Sequence, residues 1–166
     1  MIDRLLFVLT LLSALGCGLI GGVFFAFSAF VMKALDRLPP PQGIAAMQSI
    51  NVAVINPLFL LPFLGTAVAC AVLAVSSVLR WQRPGATSLF LGSVLYLAGT
   101  VLVTMVCNVP RNEALAAVGP ASAEAAVRWR YVAGWTAWNH VRTAAALAAS
   151  ALLTISLCLP LARGAP

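Results

Sequence analysis

The chain has 166 residues, of which 62% are hydrophobic and only 8% charged, with a net charge of +6. Soluble domains carry about a quarter of their residues charged, so this composition excludes a water-soluble globular protein and places the apolar excess against lipid. The basic residues are scattered between apolar runs and form no patch with interleaved aromatic side chains. That pattern excludes a nucleic-acid surface and reads as charges flanking membrane spans.

A helix that crosses about 30 Å of hydrocarbon at about 1.5 Å per residue needs about 20 apolar residues. Four segments meet that length. The first runs from Leu5 to Met32, between Asp3-Arg4 and Lys33, Asp36 and Arg37. Its early part, with Arg4 and then Ala14-Leu15-Gly16-Cys17, has the outline of a signal peptide, but the apolar run continues to Met32 without a polar break, as an uncleaved span should. Ala14, Gly18, Gly22 and Ala26 recur every four residues and predict a face small enough for a close helix approach. From Gly43 onwards the linker reads as a short amphipathic helix at the membrane interface, after the Pro39-Pro40-Pro41 break, with Met47, Ile50 and Val54 on one side.

The second span runs from about Leu58 to Leu79, opened by Asn56-Pro57 and kinked near its start by Pro62. After Arg80-Trp81-Gln82-Arg83-Pro84-Gly85 the third runs from about Thr87 to Cys107. The fourth holds the uncharged run Thr143 to Ala162, spans about residues 136–160, and is preceded by a helical extension that starts near Ala121 to Ala125. The expected fold is therefore all-α: one membrane domain over residues 1–166, a four-helix bundle with a short interfacial helix between spans 1 and 2. Four spans put both termini on one side with the Arg80–Gly85 turn. Arg4, Arg80, Arg83 and Arg163 flank that side, and Lys33, Arg37, Arg111, Arg128 and Arg130 the other. The short, purely basic turn favours cytoplasmic termini.

Several chemistries lack their residues. Cys17, Cys70, Cys107 and Cys158 sit one per span with no Cys-x-x-Cys pair, which reads as buried small hydrophobes rather than a dithiol centre. His140 is the only histidine, so bis-histidine haem ligation is excluded, and no cluster suits zinc. The acids are limited to Asp3, Asp36, Glu113 and Glu124.

What remains is a polar constellation. At about 100° per residue, Arg128, Tyr131, Trp135, Trp138, Asn139 and Arg142 fall in one stripe. His140 borders it, about 100° beyond Asn139. Arg142, one turn inside a span, is costly there unless it snorkels or faces the bundle interior. An interfacial aromatic belt with a snorkelling arginine explains the same residues. Asn51 and Asn56 before the second span, and Asn108, Arg111 and Asn112 after the third, share the membrane side of Asn139 and Arg142 and favour a polar pocket at that end. On the third span Tyr96, Thr100, Thr104 and Asn108 form a four-residue ladder leading to the same place.

Asn108-Val109-Pro110-Arg111-Asn112-Glu113-Ala114-Leu115, with Trp135-Thr136-Ala137-Trp138-Asn139-His140-Val141-Arg142-Thr143, resembles the paired signature of the anthrone oxygenase-like family of four-helix membrane proteins, much of it a domain of unknown function. Phe27 to Met32, Met47 to Asn51 and Asn56-Pro57 match its layout. The resemblance implies oxygenation of an anthrone-like phenolic substrate by O₂ with no metal, haem or flavin. In that chemistry His140 is the expected general base, Arg142 and Asn139, with Asn108, donate to the developing oxyanion, and Trp135 and Trp138 stack on a flat aromatic substrate. Arg111, Asn112, Asn51 and Asn56 complete the expected binding residues. Two other classes stay open. One is a non-catalytic protein holding a quinone, haem or lipid-like molecule, and the other is an interaction subunit. The expected setting is the bacterial cytoplasmic membrane, with the lipid bilayer and a small aromatic molecule as partners, no nucleic acid, and self-association into a homo-oligomer left open.

Overall fold

The computed structural model describes residues 2–129 and 132–163, and every described element is helical. Four helices are long and apolar enough to span a membrane. In chain order, α1 is Ile2–Asp36, α2 Pro40–Ala53, α3 Pro57–Leu79, α4 Ala86–Ala116, α5 Ala123–Trp129 and α6 Val132–Arg163. The spans are α1, α3, α4 and the Gly134–Leu159 part of α6. Helix α1 runs unbroken through the Ala14–Cys17 stretch.

The helix ends follow from local chemistry. Asn56 caps α3: its Oδ1 accepts the Phe59 amide at 3.2 Å, and Pro57 occupies the first turn, where a missing N–H costs nothing. Gly85, at φ +85°, turns the chain into α4 through the left-handed region that favours glycine. Ser122 Oγ accepts the Ala125 amide at 3.0 Å at the start of α5. Asp3 at the start of α1 is ion-paired with Arg80 at the end of α3, so the N-terminal end and the Arg80–Gly85 turn share one end of the bundle, as alternating spans require.

Two boundaries differ from the expected ones. Helix α4 continues past Cys107 to Ala116, so Asn108, Arg111 and Asn112 ride on the helix instead of in a loop. Pro110 is accommodated because the turn before it, Thr104–Asn108, is a wide π turn and the proline falls in the first turn of the following α segment. Helix α2 begins at Pro40, not Gly43, because Pro40 and Pro41 take first-turn positions.

Helix α2 is not a lone interfacial helix. Its Ile44 and Met47 are buried with Met32, Leu35, Leu115, Val118, Ala125, Trp129 and Trp135 in a second core that caps the bundle. Gln48 fastens it, donating Nε2 to the carbonyls of Leu115 (2.8 Å) and Val118 (3.0 Å), at and just past the end of α4. Gly43 is required for the approach: a Cβ there would stand 2.8 Å from the Leu35 carbonyl oxygen and 3.1 Å from the Trp129 ring. Gly43→Ala is therefore expected to loosen the cap by about 1–3 kcal/mol, measurable as faster tryptic cleavage after Lys33 and Arg37; unchanged cleavage would show that the cap can give way around a methyl group.

Within the membrane, the buried face of α1 is Thr10, Ser13, Ala14, Cys17, Ile20, Gly21 and Phe24. The expected stripe starts on this face at Ala14 and leaves it, with Gly22 exposed. In a regular α-helix a four-residue repeat drifts by about 40° per step. The close approaches fall at Gly16 against Thr66, at Gly18 against Ser150, and at Gly21 against Ala146 and Leu147. Cys17 and Cys70, on different spans, share the same core.

Candidate functional site

The polar ladder of α4 is buried as a unit. Tyr96, Thr100 and Asn108 have almost no exposed surface, and Thr104 is half-buried. Leu95–Leu102 and Thr104–Asn108 are π-helical. A π turn, closed by i→i+5 bonds, holds more residues than an α turn. It therefore cancels the drift that carries the α1 stripe off its face, and Tyr96, Thr100, Thr104 and Asn108 stay aligned. Helix α1 has a matching π stretch, Phe27–Val31, around buried Ser28. Such wide turns cluster at functional sites, and here they lie on the two helices that face Arg142.

Arg142 is 4% exposed and points into the bundle, not towards the headgroups. Its Nη1 donates to Thr104 Oγ1 at 3.2 Å and its Nη2 to Asn139 Oδ1 at 2.5 Å. The guanidinium carbon lies 4.1 Å from the Phe24 ring centre and 5.3 Å from that of Trp135, within cation–π range of both. Asn139, fully buried, donates Nδ2 to the Phe24 carbonyl (2.7 Å) and to Ser28 Oγ (2.6 Å), tying α6 to α1. Trp135 is held from α4: its Nε1 donates to Asn112 Oδ1 at 2.8 Å, and its carbonyl accepts Asn108 Nδ2 at 3.2 Å. Arg111 donates to the Cys107 carbonyl and passes beside Gly134. The network thus lies where the bundle core meets the cap core, with Phe24 and Tyr96 in the first and Trp135 in the second.

The structure therefore brings together Arg142, Asn139, Trp135, Asn108, Arg111 and Asn112. It does not bring the others. His140 is exposed, on the side of α6 turned away from the network. Trp138, at the edge of the stripe, is 38% exposed and outside the network. Asn56 spends both ends of its amide on the α2–α3 junction, donating to the Ala53 carbonyl at 2.7 Å. Asn51 is half-buried on α2 with its Nδ2 buried and unpartnered among the described residues. Tyr131 and the Arg128 side chain lie outside the described residues. Phe24 and Ser28 belong to the network but were not among the expected site residues; Ser28 stood only within the Phe27 to Met32 stretch that matches the family's layout.

Among the described residues no carboxylate pairs with Arg142. A buried cation is thus balanced only by neutral oxygens and two ring faces. Among the described residues, its Nε and that of Arg111 are buried without a hydrogen-bond partner, as is Asn108 Oδ1. Unpaired buried polar atoms are costly and call for an explanation. Two donors and one acceptor next to an aromatic face suit a flat molecule bearing an anionic oxygen and a hydroxyl. The two prominent cavities lie elsewhere, at the Arg80–Gly85 turn and beside Pro57.

No curated protein and no solved structure matches the chain. A protein-family model described as anthrone oxygenase matches residues 59–152, more than half of the chain and the stretch that carries every network residue from Tyr96 to Arg142. The chain belongs to the anthrone oxygenase family.

Proposed function

We propose that this membrane protein oxygenates a flat phenolic, anthrone-like substrate with O₂ at the Arg142 network. The observation that carries the proposal is the buried guanidinium that has hydrogen-bonding capacity to spare and no carboxylate partner among the described residues. Such a cation stabilises a phenolate or enolate, and its worth rises in a dry, low-dielectric setting. Asn108 Oδ1 accepts the hydroxyl of a neighbouring phenol, and the Trp135 face supports the rings.

The chemistry follows from the substrate's own electrons. Loss of one proton from the ring methylene gives an enolate, which passes an electron to O₂; recombination at that carbon gives a peroxide anion, which takes a proton back to become a hydroperoxide. Loss of water from the hydroperoxide leaves the new carbonyl, so one oxygen atom enters the product and the other leaves as water. The protein's part is to bind the anion, hold it flat and keep bulk water away. By lowering the cost of the anion, Arg142 reduces the strength of base required.

The exposed position of His140 counts against the base role expected for it from the sequence. His140→Ala is expected to keep anthrone-dependent O₂ uptake within about threefold of the parent, whereas a loss above about tenfold would return the base role to the histidine, since general bases contribute about 10²–10⁴-fold. The test of the whole reading is O₂ uptake and quinone formation by the detergent-purified full chain supplied with anthrone. Absence of turnover, with haem absorption or a co-purified quinone instead, would support the ligand-binding alternative.

A further inference from the structure

At the end of the bundle remote from Arg142 lies a cleft of about 420 Å³, bounded by the start of α1, the Arg80–Gly85 turn and the end of α6. We propose that it holds the headgroup and first acyl carbons of an anionic phospholipid, with the phosphate against Arg83.

Charge is the first argument. Asp3, Arg80 and Arg83 all line the cleft. Asp3 is ion-paired with Arg80, and Arg83 is exposed with no ion pair among the described residues. Among the described residues that line the mouth, the charges therefore leave one net positive, which matches one phosphodiester. A zwitterionic headgroup would bring its own ammonium against the same arginine.

The walls supply the second argument. Leu6, Phe7 and Leu89 make the sides apolar, and Phe7 is half exposed on the lipid-facing surface of α1, so acyl carbons leave the cleft directly into the bilayer. Depth is the third. Trp81, next to the cleft, is 48% exposed and packs edge-on against Phe90 at 5.9 Å, as an aromatic anchor at headgroup level does. Buried acyl surface together with a charge makes the occupant a lipid rather than a free phosphate.

The test is native mass spectrometry of the full chain, released from detergent containing equal dioleoyl phosphatidylglycerol and dioleoyl phosphatidylcholine. Wild type should retain phosphatidylglycerol about fivefold over phosphatidylcholine, the preference one basic residue near a headgroup supplies. Arg83→Gln, on an exposed turn, should bring that ratio to about one. Ser76→Phe, which fills the cleft and spares both arginines, should cut retention of phosphatidylglycerol. Excess glycerol 3-phosphate should displace nothing. Equal retention of the two lipids by wild type, an unchanged ratio in Arg83→Gln, unchanged retention in Ser76→Phe, or displacement by glycerol 3-phosphate would each overturn the assignment.

Discussion

Arg142→Met is expected to lower anthrone-dependent oxygen uptake by about 10²–10³-fold, the loss typical when one donor to a developing oxyanion is removed, while leaving the protein's melting temperature in detergent within a few degrees. The two halves of this result come from one fact. Arg142 is buried, with only neutral oxygens and the Phe24 and Trp135 rings around it among the described residues. Holding a desolvated cation there costs stability, and replacing a buried charge by a well-packed apolar side chain is often neutral or stabilising. Methionine fits the volume and relieves that cost, against which stands the loss of a donor to Asn139 Oδ1. Arg142→Lys should recover only part of the activity, because an ammonium keeps the charge but not the planar fork that reaches Thr104 and Asn139 while leaving Nε free. Uptake by Arg142→Met within tenfold of the parent would remove the oxyanion role.

Asn139→Leu should have the largest effect on stability, about 3 kcal/mol, seen as a fall of about 10 °C in melting temperature. Leucine has the branching and heavy-atom count of asparagine but removes three hydrogen bonds at once: those to the Phe24 carbonyl and Ser28 Oγ, and that from Arg142 Nη2. The last is charged, which makes its loss the most costly. The double variant Asn139→Leu/Arg142→Met is then expected to be more stable than Asn139→Leu alone, because removing the cation removes the main unpaid group. Residues in one network are not additive. Additive losses in the double variant would mean that Asn139 acts only as a clamp between α1 and α6 and not as the partner of the arginine.

Much of this arrangement was legible from the sequence. Scarcity of charge located the chain in lipid, the length of the apolar runs counted four spans, and an arginine one turn inside the last of them marked the place to look. The ladder Tyr96, Thr100, Thr104 and Asn108 was readable because hydroxyls and amides are conspicuous in an apolar run. These features depend on composition and spacing along one chain, and a bilayer imposes them segment by segment through length and polarity.

Helix rotation was not legible, because a wheel gives angles between residues but not the direction in which the wheel faces. Trp135, Asn139 and Arg142 span an arc of about 60°. Only packing against α1 and α4 turned that arc inward and left Trp138, at its edge, and His140 on the exposed side. The π turns were equally hidden: they kept a four-residue ladder aligned on α4, while the same spacing drifted off the buried face of α1, where the helix is regular. Phe24 and Ser28 joined the site for the same tertiary reason, since α1 is distant in sequence and meets Asn139 across the bundle. The sequence by itself determined that this protein lives in a membrane and which few polar residues it keeps there. The tertiary structure decided which of them share one dry interior, because a buried charge selects the helix rotation that satisfies it.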